Sequence, residues 1–217
     1  MKKLMILGAA LACVSFNAQA HYNPADYYIK QHQNQYAQSV LGPYLGLDYA
    51  YSSYKFKKVD DGAGNRVDAL KGVSNGFEVS GGLKFHDLLS GEISYQQSFK
   101  ARKDVAGIKT EQKMSVIGFD LIANTPRESN FEFLGSLGVG YYKLDYMFND
   151  GEEYKGHSGR IGVRLGLGGQ YYMTDHIAVR AMARYNHIKM KGDKKGWKDF
   201  GAAKRTIDLT IGTRIYF

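Results

Sequence analysis

The residues of this chain that could do chemistry are mainly ionised side chains at even-numbered positions. The six acids are Asp48, Glu78, Glu92, Asp120, Glu132 and Asp208, and the five bases are Lys84, Arg164, Arg180, Arg184 and Arg214. Carboxylates and cations in such similar numbers can neutralise one another where water is excluded. We therefore expect a charge network if one face of the fold gathers these residues.

A second candidate is a basic and aromatic segment near the C-terminal end. It contains Lys189, Lys191, Lys194, Lys195, Trp197 and Lys198, and it continues to Lys204 and Arg205. Lysine and arginine clamp phosphate groups, so the segment fits a phosphorylated glycolipid or an acidic surface. An ordinary solubilising loop has a similar composition and remains the alternative.

Signals for catalysis are weak. His157 and Ser158, with Glu152 and Glu153 nearby, could be arranged as nucleophile, base and orienting group, but a solvated loop explains them equally. The glycines of 138–140 and 166–169 do not open a helix after a parallel strand, so they are expected to be strand glycines. We expect no enzyme activity, no metal site and no cofactor.

The elements that position the charges are eight segments in which apolar and polar residues alternate. In the last segment the odd positions Ile207, Leu209, Ile211 and Ile215 are apolar, whereas the even positions are polar or small. The segments run at about 43–54, 77–85, 89–100, 113–124, 131–147, 161–171, 176–187 and 206–217. A period of two is typical of a β-strand, and about ten residues match the length of a tilted transmembrane strand.

The connections between these segments alternate in length. Short turns lie near 86–88, 125–130 and 173–175, and long polar connections cover 55–75, 101–112, 148–160 and 188–205. Aromatic residues on the apolar face mark both strand ends, as expected at the two edges of a bilayer. They are Phe85, Phe131, Tyr171 and Phe217 at the short turns, and Tyr51, Phe77, Phe99, Tyr141 and Tyr185 at the long connections.

Because Arg or Lys facing lipid would cost about 2–4 kcal/mol each, the charged even-numbered face must point inward. We expect an all-β fold, an eight-stranded antiparallel up-and-down transmembrane barrel whose lumen is filled by ion pairs. Closure brings the first strand beside the last, which makes Asp48 and Arg214 candidates for a pair.

The N-terminal residues resemble an export signal. Two lysines, an apolar run and Ala18-Gln19-Ala20 predict a signal peptide over 1–20 that is cleaved after Ala20. Residues 21–42 are expected to form a periplasmic arm with a possible short helix, and 43–217 the barrel domain. The net charge of +8 suggests an anionic partner, but export argues against nucleic acid.

The export signal, the eight segments and the aromatic C-terminus resemble the small eight-stranded bacterial outer-membrane barrels. This family includes the OmpA-type transmembrane domain and the opacity and OmpX-like surface proteins. In it, a terminal Phe on an alternating last strand is the signal read by the barrel-assembly machinery. The matching residues here are Ile207, Leu209, Ile211, Ile215 and Phe217.

The resemblance implies a bacterial outer-membrane location, with outer-membrane lipid, lipopolysaccharide and the assembly machinery as partners. The expected role is that of a surface protein that supports envelope integrity and contacts lipopolysaccharide, a host or the environment through its long loops. A narrow channel for small solutes, a lipid A-modifying enzyme and a soluble exported barrel remain alternatives, because one fold carries many activities.

Overall fold

The computed structural model describes residues 41–56, 59–60, 66–67, 70–105, 108–126, 130–149, 153–188 and 203–217. The expected signal peptide, the arm up to residue 40 and the basic segment 189–202 lie outside these residues. The strands, in chain order, are β1 (Gly42–Phe56), β2 (Val59–Asp60), β3 (Arg66–Val67), β4 (Val73–His86), β5 (Leu89–Ser98), β6 (Ala101–Val105), β7 (Ile108–Asn124), β8 (Phe131–Asn149), β9 (Glu153–Tyr172), β10 (Ile177–Ile188) and β11 (Ala203–Tyr216).

Eight of these strands close into a barrel. The hydrogen-bonded order is β5-β4-β1-β11-β10-β9-β8-β7, and a further pairing of β5 with β7 completes the ring. Every pairing is antiparallel, and the first and last strands meet from Tyr44 opposite Tyr216 to Phe56 opposite Ala203. The predicted eight-stranded antiparallel barrel is therefore confirmed.

Side chains alternate between the outer surface and the lumen along each barrel strand. On β11, Leu209 and Ile211 are 49% and 56% exposed, whereas Thr210 between them is 5% exposed. The same alternation runs through β10. Because the apolar members face outward, the hydrophobic surface of this fold meets the acyl chains of the bilayer and the polar members form the interior.

The aromatic residues at the strand ends also face outward. Phe85, Phe131, Tyr171 and Phe217 at the short turns are all exposed, as are Tyr51, Phe99, Tyr141 and Tyr185 at the opposite end. Phe77 is half-buried against the ring of Phe99, with 6.4 Å between the ring centroids. Two girdles therefore bound the apolar band.

Two of the expected long connections are largely strands. β6 and β7 form a hairpin with Ala101 opposite Gln112, and β8 and β9 remain paired from Phe131 opposite Tyr171 to Asn149 opposite Glu153. The prediction of loops over 101–112 and 148–160 was therefore wrong for most of these residues, which are in strands. Beyond the bilayer both faces of a hairpin are in water, so the apolar alternation ends while the backbone hydrogen bonds continue.

Candidate functional site: a paired ionic lumen and its two ends

The charged residues of the even-numbered face lie together inside the barrel. All eleven are buried, with at most 3% of the side chain exposed. The register sets acids side by side on one wall: Asp48 on β1 is opposite Glu78 on β4, and Glu92 on β5 is opposite Asp120 on β7. The four arginines extend from β9, β10 and β11 on the facing wall, so the two sets of charges meet across the lumen.

Glu92 is the centre of this network. Its Oε2 accepts a hydrogen bond from Arg180 Nη1 at 2.7 Å and lies 3.5 Å from Arg214 Nε. Its Oε1 lies 3.4 Å from Arg184 Nη2. Tyr44 OH also donates to Oε2, at 3.0 Å. One carboxylate is therefore surrounded by three guanidinium groups, which balances its charge in a site without bulk water.

Two further acids, Glu78 and Asp48, accept hydrogen bonds from arginines that also approach Glu92. Arg184 Nη1 donates to both oxygens of Glu78, at 2.8 and 2.9 Å. Arg214 Nη1 donates to Asp48 Oδ1 at 2.8 Å, across the seam where the barrel closes. These short charge-assisted bonds join strands that are far apart in the sequence.

Arg164 completes the set through space left by a glycine. Its Nη2 lies 3.4 Å from Asp120 Oδ2, and its Nη1 donates to Ser94 Oγ at 3.2 Å. A Cβ on Gly118 would lie 1.3 Å from Nη1 of the same arginine. The missing Cβ at this position of β7 therefore leaves the space that the guanidinium occupies beside Asp120.

At the short-turn end a smaller polar group closes the lumen. Lys84 Nζ donates to Glu132 Oε1 at 2.6 Å, and Tyr172 OH donates to Glu132 Oε2 at 3.1 Å. Gln170 Nε2 donates to Tyr216 OH at 2.7 Å, and the rings of Tyr172 and Tyr216 are 5.6 Å apart. Aromatic rings therefore fill the cross-section beneath the arginines.

At the opposite end the lumen is closed by apolar side chains, which the sequence pattern did not lead us to expect. The buried cluster consists of Tyr54, Leu70, Met114, Val116, Tyr142, Leu144, Tyr146, Ile188 and Ala203. Most occupy even positions of their strands, where the alternation predicts polar residues. The sequence did contain a signal for this cluster, because apolar residues occupy inward-facing positions at the long-connection end of these strands. They form a hydrophobic plug above the charges.

The residues considered for catalysis are not brought together. His157 is exposed and Ser158 is buried, because neighbouring residues of β9 point to opposite faces of the sheet. The side chains of Glu152 and Glu153 lie outside the described residues. Glycines 138, 140, 166, 168 and 169 are all within β8 and β9. Among the described residues of this group, no nucleophile is paired with a base.

The basic segment considered for anion contact is described only at its C-terminal end. Lys189, Lys191, Lys194, Lys195, Trp197 and Lys198 lie outside the described residues, whereas Lys204 and Arg205 are exposed near the start of β11. The residues expected to signal assembly, Ile207, Leu209, Ile211, Ile215 and Phe217, all face outward.

The β6–β7 hairpin, beyond the apolar band, has a separate ion cluster. Lys100 Nζ and Arg102 Nε lie 2.8 and 3.0 Å from the two carboxylate oxygens of Glu111. The hydrogen bonds from Lys100 and Arg102 lower the pKa of the Glu111 carboxyl below its ordinary value.

No helix among the described residues is long and apolar enough to cross a bilayer. No group of three or more His, Cys, Asp or Glu side chains in the described ranges is placed to hold a metal ion.

Several solved structures share this fold. Neisserial surface protein A is 23% identical, with 81% of this chain and 97% of that chain covered and a TM-score of 0.54. The Ail protein of Yersinia pestis, crystallised with the heparin analogue sucrose octasulfate, is 16% identical, with 82% and 99% covered and a TM-score of 0.52. OprG of Pseudomonas aeruginosa is 17% identical, with 83% and 98% covered and a TM-score of 0.51.

No curated protein sequence matches this chain. The model of the outer membrane protein beta-barrel domain matches residues 6–213, nearly the whole sequence. The match covers all the barrel strands up to Thr213, including the strands that carry the ionic lumen. The chain therefore belongs to the outer membrane protein beta-barrel family and is a protein of the bacterial outer membrane.

Proposed function

We propose that this protein is a non-enzymatic surface barrel whose membrane part is a sealed, rigid support and whose outer end contacts polyanionic saccharides, above all lipopolysaccharide. The single observation that carries the proposal is the lumen, in which charged side chains are buried and the four arginines are each within ion-pair distance of an acid. A lumen filled by paired side chains stabilises the barrel and leaves no open path for a solute.

The two ends of the lumen support the same conclusion. An ion moving through the barrel would have to pass the apolar plug around Tyr142 and Leu144 and then break ion pairs around Glu92. Below them it would meet the Lys84–Glu132 pair and the rings of Tyr172 and Tyr216. At each of these points the ion would lose its hydrating water without gaining a free polar partner.

The outer end supplies the proposed contact. The long connections of outer-membrane barrels face outward, where the phosphorylated core of lipopolysaccharide is the nearest polyanion. The basic segment from Lys189 to Lys198 belongs to one of these connections. The complex of the Ail protein with a sulfated heparin analogue indicates a second class of anion, a host glycan, to include in binding experiments.

The remaining parts of the chain complete the proposal. Residues 1–20 direct export and are cleaved after Ala20, and the residues from 21 to the start of β1 form an arm on the periplasmic side. The outward row of Ile207, Leu209, Ile211, Ile215 and Phe217 is read by the barrel-assembly machinery during insertion.

Planar-bilayer recording tests the sealed lumen. We expect the purified protein to give no steady conductance steps, and ion-selective steps of reproducible size would replace this proposal with a narrow channel. A variant in which Arg180 and Glu92 are both replaced by glutamine is the matched comparison, because it removes charges from the network while keeping two hydrogen-bonding side chains.

Deletion of residues 191–200, which keeps β10, β11 and a four-residue turn between them, tests the outer contact. We expect binding of the full-length protein to lipopolysaccharide to weaken on deletion and to weaken with added salt, because the interaction is between exposed charges. Binding that is unchanged by deletion and independent of salt contradicts a role for this segment. Migration as a folded barrel on an unboiled gel shows that the deletion variant is intact.

A further inference from the structure

Three basic side chains form a row on the outer surface of the barrel wall. Lys55 on β1 is directly opposite Arg205 on β11, and Arg205 is directly opposite His187 on β10. All three are exposed, and all lie at the long-connection end of their strands. Opposite residues on neighbouring strands have Cβ atoms about 5 Å apart, so the three form one continuous patch.

This row has no acidic partner in the part of the chain that the structure describes, whereas some other cations near the outer end do. Lys143 pairs with Asp145 at 3.2 Å, and Glu111 holds Lys100 and Arg102. Like charges directly opposite one another destabilise a sheet. An anion from outside the chain would remove that repulsion.

The row stands at the edge of the apolar band. Arg205 and His187 are two residues beyond the lipid-facing Ile207 and Tyr185, or about 7 Å along the strand. Tyr51 and Tyr185 belong to the outer aromatic girdle, which marks the level of the headgroups. The Lys55, Arg205 and His187 side chains are therefore at the depth of the phosphates of the outer leaflet.

An apolar groove lies in the band below this row, four residues further along each strand, where Leu209 and Ala183 line it. It has a volume of about 420 Å³ and lies between Tyr49, Tyr51, Leu209 and Ile211, over the small side chains of Ala181 and Ala183.

A second groove, of about 620 Å³, joins the first at Ala183. It continues around the barrel past Leu167, Gly135 and Ala123 to Leu89. The register explains its path, because each of these residues is opposite the next on the neighbouring strand. Because Leu89 follows the short turn between β4 and β5, only the part of this groove near Ala183, Tyr185 and Ile207 lies below the row.

We propose that the Lys55–Arg205–His187 row and the groove over Ala181 and Ala183 form a binding site for one phosphorylated, multiply acylated glycolipid of the outer leaflet. The phosphates bind the three basic side chains, and acyl chains lie in the groove. This site is on the barrel wall and is separate from the 189–202 segment. The proposal deepens the proposed function and rests on its surface role.

Charge complementarity selects this lipid over a glycerophospholipid with one phosphate. The row spans two strand spacings, about 10 Å, so it offers two separated positions for phosphate. A lipid with phosphates at both ends of a disaccharide can use both positions, whereas a single phosphodiester uses one.

Native mass spectrometry of the full-length protein with diphosphorylated hexa-acylated lipid A tests the headgroup contact. We expect one tightly retained lipid and a loss of affinity of about thirtyfold in the Lys55→Gln/Arg205→Gln variant, about fivefold for each cation. The control Lys109→Gln/Lys143→Gln removes the same charge from β7 and β8 and should bind like the wild type. Equal affinity of the two double variants would overturn the proposal.

A second variant tests the groove without changing charge. Ala181→Leu/Ala183→Leu fills the groove from the lipid side, where no core packing is disturbed, and should weaken retention of lipid A by at least about threefold. Val139→Leu on the lipid-facing side of β8 is the control and should have no effect. Unchanged retention in the alanine variant would show that acyl chains do not use this groove.

The lipid identity has its own comparison. Phosphatidylglycerol should be retained at least tenfold more weakly than lipid A, and equal retention would overturn the choice of glycolipid. Failure of this inference can be separated from failure of the proposed function. In the first case the wild type and the Lys55→Gln/Arg205→Gln variant bind lipopolysaccharide equally, and in the second case the wild type binds no polyanion.

Discussion

Replacing Arg184 by methionine measures how strongly the buried ion pairs depend on one another. Arg184 donates two hydrogen bonds to Glu78, at 2.8 and 2.9 Å, and lies 3.4 Å from Glu92. Without it, the nearest cation to Glu78 is Arg164, at 3.8 Å, while Glu92 keeps its contacts with Arg180 and Arg214. Most of the damage should therefore fall on Glu78.

We expect Arg184→Met to lower the free energy of unfolding by about 3–5 kcal/mol, because it leaves a buried carboxylate without its cation. Glu78→Gln should lower the free energy of unfolding by a similar amount, because it leaves the buried Arg184 cation without this carboxylate. The double variant Glu78→Gln/Arg184→Met restores neutrality, and it should be more stable than the sum of the single effects by about 2–3 kcal/mol. The exposed Lys143–Asp145 pair is the control, and Lys143→Gln should cost less than about 1 kcal/mol.

The assay is urea unfolding of the protein in lipid vesicles, with the folded fraction read from the mobility of unboiled samples on a gel. The single tryptophan lies in the 189–202 segment and is not needed as a probe. If the two single effects simply add within about 0.5 kcal/mol, the side chains do not interact energetically and the network described here is refuted.

Three further predictions follow from the walls of the barrel and its hairpin. Gly118→Ala should destabilise the barrel by about 1–3 kcal/mol in the same unfolding assay, because the new Cβ would meet Arg164, whereas Gly135→Ala, with nothing within 4 Å of its Cβ, should be neutral. Leu137→Arg places a cation on the lipid-facing surface and should cost about 2–4 kcal/mol in vesicles, and a smaller loss would contradict the assigned membrane face. Glu111 should titrate below the ordinary glutamate range by NMR, so its contribution to stability is present above its ordinary pKa and is lost as the pH falls through the lowered value. Replacing its two basic partners by glutamine should raise its pKa towards the ordinary value.

Much of the barrel can be predicted from the sequence, because a β-strand has a strict period of two. The bilayer also requires apolar residues on the outer face and leaves the polar residues to the inner face. The odd positions of β11 are apolar and the even positions polar, so the face of each side chain follows from its number alone. The buried position of Arg214 and its neighbour Asp48 needed only parity and the closure of the first strand on the last.

The residues at which the strands end could not be predicted as well as the face on which each side chain lies. Beyond the bilayer no apolar phase separates the two faces, so the periodic signal disappears although β8 and β9 remain hydrogen-bonded to Asn149 and Glu153. The hydrophobic plug was missed for a related reason. Tyr142 and Leu144 are inward and apolar, which the simple rule of a polar interior does not allow.

The sequence by itself determined the barrel, its lipid-facing surface and the set of charges that must be enclosed, since these follow from alternation and from the cost of charge in a membrane. Apart from the Asp48–Arg214 pair, only the tertiary structure decided which carboxylate each arginine meets, because those pairs depend on register and on the space left by Gly118. It also decided that Lys55, His187 and Arg205 form one surface row. Positions so far apart in a chain become neighbours only through the pairing of β1, β11 and β10.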